Sequence, residues 1–216
     1  MIIKLFLLIL LCVFNTAYGA ESSVDMPHVP SLMPSKEEIL RVKDDDITIG
    51  CTDAPNVVIE YSSLSCPHCS IYYKDIFPQI KSELIKTCKV KYIYRDFPLT
   101  KSALKGVALA RCVTMDNHGK IASQEFFNII QTLFASQDSW AFSSDFEQNL
   151  SKILNITGIP QSTIIACNNK KDIAVEVISN AFIAMKVLNI GHSPAIFVNG
   201  IEAKTPTFEG IKQMLK

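Results

Sequence analysis

Val57-Val58-Ile59-Glu60-Tyr61-Ser62-Ser63-Leu64-Ser65-Cys66-Pro67-His68-Cys69-Ser70 is the stretch on which the fold turns. Residues 57–61 are rich in β-branched and aromatic side chains and read as a buried strand. From Ser70 through Thr87, apolar residues recur at 72, 73, 76, 77, 80 and 84, which is helical spacing. Pro78 is predicted to kink that helix. Two thiols two residues apart therefore stand where a strand hands over to a helix. Free backbone N–H groups and the positive end of the macrodipole at a helix start favour negative charge. A thiolate at Cys66 is stabilised there, and the thiolate is the species that attacks disulfides.

A CxxC pair can also be half of a zinc site. Structural zinc asks for about four N/S ligands, commonly from a second CxxC or an H-x3–5-H pair. His28, His68, His118 and His192 are scattered and no second CxxC occurs. No metal is expected, and the pair reads as a redox pair.

The N-terminus carries Lys4, ten apolar residues from Leu5 to Phe14, and a small-x-small ending at Ala17-Tyr18-Gly19. This is the pattern of a secretory signal over residues 1–19, and the apolar run is too short for a membrane span. Removing it takes one lysine from a chain with 21 basic and 21 acidic side chains, leaving a formal charge of −1. Near-neutral charge gives no footprint for nucleic acid. The signal also takes Cys12 of seven cysteines and leaves six, an even number that suits an oxidising compartment.

With Cys66 and Cys69 as one pair, Cys51, Cys88, Cys112 and Cys167 allow three pairings. Cys112 and Cys167 fall in helical stretches. Cys51 and Cys88 each precede a predicted strand, at the pole away from the CxxC turn. The reading favours Cys112–Cys167 and Cys51–Cys88, with Cys51 and Cys88 as free thiols the alternative.

Residues 20–45, with Pro27, Pro30 and Pro34, read as an extended leader, and a weak strand lies near Asp46–Gly50. Lys89–Arg95 alternates as a second central strand. Residues 101–188 are almost wholly helical: Ser102–Met115, Ile121–Phe134, Ser144–Asn155 capped by Ser143 or Ser144, Pro160–Cys167 and Asp172–Leu188. Ala195–Val198 and Ile201–Lys204 flank Asn199-Gly200, a strong hairpin signal. Thr205-Pro206 is predicted to open a last helix, with the proline at its first position.

A βαβ unit and a ββα unit separated by a helical block resemble the DsbA family of periplasmic thiol:disulfide oxidoreductases, of the alpha-proteobacterial type. The resemblance rests on Cys66-Pro67-His68-Cys69, Glu60 six residues ahead, Tyr94-Arg95-Asp96-Phe97-Pro98-Leu99, and Ser193-Pro194-Ala195-Ile196-Phe197-Val198-Asn199-Gly200. It implies an α/β thioredoxin fold over 46–100 and 189–216, with a helical domain inserted at 101–188. It implies an enzyme without a cofactor beyond its own Cys66–Cys69 disulfide, oxidising exported proteins as a monomer. Reoxidation would come from a DsbB-like, quinone-linked membrane partner. In the resemblance Cys66 is an exposed nucleophile, Cys69 the shielded resolving thiol, and Pro67 and His68 tune them. Ser193-Pro194 forms a cis-proline loop that meets substrate backbone, where many relatives carry Val or Thr in place of Ser193. Glu60 is a buried acid exchanging protons with Cys69, or else a solvated edge carboxylate. Cys112 and Cys167 match the helical-domain disulfide of the broader bacterial group. Arg95 and Asp96 read as a structural pair, and His192 as a rim residue. Two other readings are a reductase or isomerase of the same fold, and a non-enzymatic disulfide-stapled or metal-binding module.

Overall fold

The computed structural model describes residues 33–216. The signal expected over 1–19, the first part of the leader and His28 lie outside them. Five strands form one mixed sheet in the order β1-β3-β2-β4-β5. β2 (Asn56–Ser62) and β3 (Val90–Asp96) run parallel at its centre. β1 (Ile47–Ile49) is antiparallel to β3, and β4 (Ala195–Val198) is antiparallel to β2 and hairpins into β5 (Ile201–Glu202). The connection from β2 to β3 is the helical run that begins at Pro67. The inserted helical region, from Lys101 to Leu188, separates the two halves of the sheet.

β2 reads as a continuous apolar run because both of its faces are covered. Val58, Tyr92, Tyr94, Ile196 and Val198 point to one side and pack with Tyr72, Phe77, Phe126 and Phe127. Ile59, Tyr61, Ile93 and Phe197 point to the other and meet Ile39, Ala184 and Leu188. Strand parity thus sends Glu60, two residues from Val58, to the first side.

The CxxC helix is not a single kinked α-helix. It alternates α2 (Pro67–Ile71), a π-helical turn (Tyr72–Ile76), α3 (Phe77–Ile80) and a second π-helical turn (Lys81–Ile85). The Phe77 N–H reaches back to the Tyr72 carbonyl. This widened turn stands beside Pro78, whose ring has no N–H for an i→i−4 bond.

The inserted block holds α4 (Lys101–Val113), α5 (Ser123–Ala135), α6 (Gln137–Trp140), α7 (Phe146–Ile156), α8 (Gln161–Asn168) and α9 (Lys171–Leu188). Gly106 of α4 lies against the Trp140 ring, where a Cβ would come within 2.9 Å of the indole. Two disulfides tie the described residues. Cys112–Cys167 joins α4 to α8, with 5.7 Å between Cα atoms. Cys51–Cys88 joins the approaches to β2 and β3, with 5.2 Å between Cα atoms.

Local expectations needed correction at four places. The leader is not extended throughout, because Ser35 and Glu38 form a reciprocal capping box that starts α1 (Lys36–Leu40). α7 begins after Asp145, since the Ser143 hydroxyl accepts the Asp145 N–H instead of capping a helix. α10 (Phe208–Lys212) starts after Thr207, whose hydroxyl accepts the Gly210 N–H, so Pro206 lies outside it. Arg95 and Asp96 do not pair with each other, because neighbouring strand residues face opposite ways. Arg95 binds Asp46 at 2.8 Å and Asp96 binds Arg111 at 2.5 Å.

Candidate active site

The end of β2 and a serine-rich loop deliver the CxxC turn. Leu99 N–H and Thr100 Oγ1 donate to Ser63 Oγ and Ser65 Oγ, fastening the loop to the start of α4. Cys66 occupies the N-cap of α2 in an extended conformation, with Pro67 at the first helical position. Its carbonyl accepts the N–H groups of Cys69 at 3.1 Å and Ser70 at 3.2 Å. The N–H groups of His68 and Cys69, in the first turn, also lie close enough to its sulfur to favour the thiolate.

Both thiols are free. Cys69 is fully buried and Cys66 is 7 % exposed, so the nucleophile expected to be exposed is largely covered. The cover comes from the loop before β4. Cys66 Sγ donates to the Ser193 carbonyl at 3.0 Å, and Cys69 Sγ shares a 3.0 Å hydrogen bond with Ser193 Oγ. The Ser193–Pro194 peptide bond is cis. Pro67 and His68 are exposed beside the pair.

The two sulfurs are electrostatically unlike. Cys66 is lowered from 9.0 to about 6, first by the Cys69 S–H donating to its sulfur, then by the N–H groups of Cys69 and His68 and the His68 charge; burial opposes them. Burial is the main cause that pushes Cys69 up, assisted by Cys66 and the nearby Glu60.

Glu60 is fully buried on the sheet face that carries the helix, not solvated at an edge. Tyr73 and Tyr92 donate to its Oε2 at 3.0 Å and 2.8 Å, and Tyr72 and Tyr92 hydroxyls meet at 3.1 Å. Oε1 has no hydrogen-bond partner among the described residues. Burial lifts this carboxyl from 4.5 to about 7, against the pull of the nearby Ser62 hydroxyl and then of the Tyr92 and Tyr73 hydroxyls. His192 is exposed and sits 3.3 Å from Glu202. His118 is exposed. Among the described residues no group of three or more His, Cys, Asp or Glu side chains could hold a metal. No helix there is long and apolar enough to cross a membrane.

The sequence reading missed Gln137. Its side-chain amide, buried at 3 % exposure, donates to the Leu64 carbonyl at 2.8 Å and the Cys66 carbonyl at 3.0 Å. A glutamine in Ser136-Gln137-Asp138 looks like ordinary polar surface, and no local signal marks it. The tyrosines around Glu60 were likewise read only as apolar helix and strand positions.

The family model described as Thioredoxin matches residues 43–216. The chain is 33% identical over 185 residues to the Rickettsia prowazekii (strain Madrid E) protein named "Putative protein-disulfide oxidoreductase", covering 85% of this chain and 65% of that one. A protein of the same name from Rickettsia bellii is 30% identical over 195 residues, covering 88% of this chain and 73% of its own length. The crystal structure of alpha-DsbA1 from Wolbachia pipientis is similar with a TM-score of 0.74 and 28% identity, over 83% of this chain and 93% of that one. The chain spans slightly less than two thirds of the first curated relatives, 65% and 63% of their lengths.

Proposed function

The chain belongs to the thioredoxin-like DsbA family, and from that premise we propose that it is a periplasmic dithiol oxidase that passes its Cys66–Cys69 disulfide to exported proteins. The observation that carries this reading is the asymmetry of the pair. One sulfur ionises near 6, while its neighbour is buried and pushed up.

In the disulfide form, a substrate thiolate attacks Cys66 Sγ. The Cys66–Cys69 bond breaks, Cys69 leaves with the electron pair and takes a proton, and a mixed disulfide forms. A second substrate thiolate then attacks the substrate sulfur of that mixed disulfide. The substrate disulfide closes and Cys66 departs as a stable thiolate. Two electrons and two thiol protons have left the substrate, and the reduced pair awaits an oxidant. A DsbB-like, quinone-linked membrane protein is the partner that supplies it.

Stabilising the leaving thiolate favours the reduced enzyme and so makes its disulfide more oxidising. A fall from 9.0 to about 6 is worth roughly 90 mV of upward shift for a two-electron couple. Glu60, unpartnered at Oε1 and close enough to Cys69 to raise it, is the group that gives or takes the Cys69 proton. Ser193 offers its backbone to an extended substrate segment beside the sulfurs.

The test is the equilibrium potential against glutathione, run with oxidation of a dithiol peptide. An oxidising potential near those of known dithiol oxidases, and loss of peptide oxidation in Cys66→Ala, would support the reading. A potential near −270 mV, the thioredoxin value, would make the protein a reductase.

A further inference from the structure

We propose that Gln137 is a positioning residue that fixes the ionisation of Cys66 from within the inserted helical block. The inference rests on Cys66 being the exchanging sulfur, as argued above.

Cys66 is a helix N-cap whose side chain makes no capping hydrogen bond; its sulfur reaches across to the Ser193 carbonyl instead, so its side chain does not tie the turn to the helix. The holding comes from 71 residues away. The two N–H bonds of the Gln137 amide are spent on the carbonyls of Leu64 and Cys66, which bracket the last two peptide units before the helix. The same elbow grips the far side of the motif. Ser70 Oγ donates to the Phe134 carbonyl at 3.0 Å, and the Phe134 ring stacks on Tyr73 at 4.3 Å. The turn from Leu64 to Ser70 is therefore clamped at both ends by residues 134–137.

This clamp matters because the stabilisation of Cys66 is directional. The Cys69 S–H and the N–H groups of His68 and Cys69 must all reach one sulfur, and hydrogen bonds weaken steeply with angle. Without the amide, the Leu64 carbonyl loses a buried donor, and the Cys66 carbonyl, held then by the Cys69 and Ser70 N–H groups, loses the partner that ties it to the inserted block. The sulfur then drifts from its donors. The fold stays connected through Ser70, Phe134, Gly106 and Trp140, so the effect falls on the sulfur more than on the core.

The experiment titrates the Cys66 thiolate by its absorbance near 240 nm, as the difference between protein reduced at the active pair and oxidised protein. Three variants are compared with wild type. Gln137→Met keeps the length and removes both donors. Gln137→Asn withdraws them by one methylene, and it serves alone if the methionine variant does not fold. Asn56→Ala removes a buried amide at the opposite pole of the sheet, where it donates to the Lys89 carbonyl. Both Gln137 variants should titrate about one pH unit higher, which at pH 6 lowers the thiolate fraction roughly five-fold. Asn56→Ala should lose thermal stability with no change in the titration.

A Gln137 variant that folds and titrates like wild type would overturn the proposal, as would an equal shift in Asn56→Ala. Peptide oxidation is followed in parallel. Wild type that cannot exchange would count against the proposed function, while the titration difference would still decide the role of Gln137.

Discussion

Replacing Glu60 by Gln keeps the shape of the side chain and removes its titration, which isolates the cost of a buried acid. The carboxyl is fully buried and burial raises it from 4.5 to about 7. The groups that oppose this rise are hydroxyls, not thiols. The oxidised protein, in which no cysteine titrates, therefore carries the effect cleanly. An acid raised in the folded state binds its proton more tightly there than in the unfolded chain. It costs nothing below 4.5, costs progressively more as the pH climbs to 7, and shows its full cost above 7. At about 1.4 kcal/mol per pH unit, the rise amounts to about 3 kcal/mol. Urea unfolding is followed through Trp140, the single tryptophan, which is fully buried. Measured from pH 4.5 to 8.5, the wild-type stability should fall by about 3 kcal/mol relative to Glu60→Gln, with most of the fall complete by pH 7. Two curves that stay parallel across this range would refute the reasoning, because the native carboxyl would then ionise as freely as in the unfolded chain.

Tyr92→Phe removes the 2.8 Å donor to Glu60 Oε2. It should push the Glu60 titration higher by roughly one pH unit, visible in the same difference curve or by carboxyl NMR. His68→Pro deletes both the N–H and the charge that help to lower Cys66; Cys66 should titrate higher, and the potential should fall by about 30 mV for each pH unit gained. Cys112→Ala with Cys167→Ala opens a bridge between residues 55 apart in sequence. By the chain-entropy relation this should cost about 4 kcal/mol in urea unfolding. Arg111→Met leaves Asp96, whose Oδ1 already has no partner among the described residues, as an unpaired buried acid. It should cost about 3–5 kcal/mol at neutral pH and less in acid.

The parts of the fold and site that could be read from the sequence are those whose cause is local. β2 and β4 announce themselves by β-branched residues, and the CxxC turn by its place between a strand and a helical period. Partners set by tertiary packing could not be read that way. Arg95 and Asp96 are neighbours in sequence, but strand alternation sends one towards Asp46 and the other towards Arg111. Cys66 loses its expected exposure to Ser193, 127 residues away. Gln137 sits in a polar stretch whose one buried member is revealed only by what it touches. The capping box at Ser35 and Glu38 is a local signal, a serine with glutamate three residues on, that the reading of 20–45 as an extended leader passes over.

Under the proposed function, Glu60 is the place where this core serves chemistry and not only stability. A carboxyl among Tyr72, Tyr73 and Tyr92 occupies a position where leucine would fill the same space with no polar group to satisfy. Its two tyrosine hydrogen bonds offset part of the desolvation and leave one oxygen without a partner among the described residues. Burying a polar atom in that way costs about 1–3 kcal/mol. The gain lies in where the group titrates. A carboxyl near 7 is half ionised at the pH where it would hand a proton to Cys69 or take one from it, whereas an ordinary glutamate would be fully ionised and unable to donate. The same burial that raises Glu60 also raises Cys69, so the acid and the resolving thiol are tuned together. A polar substitution that let water reach Glu60 would lower both values at once, gaining stability while leaving Glu60 ionised at neutral pH, with no proton to give to Cys69.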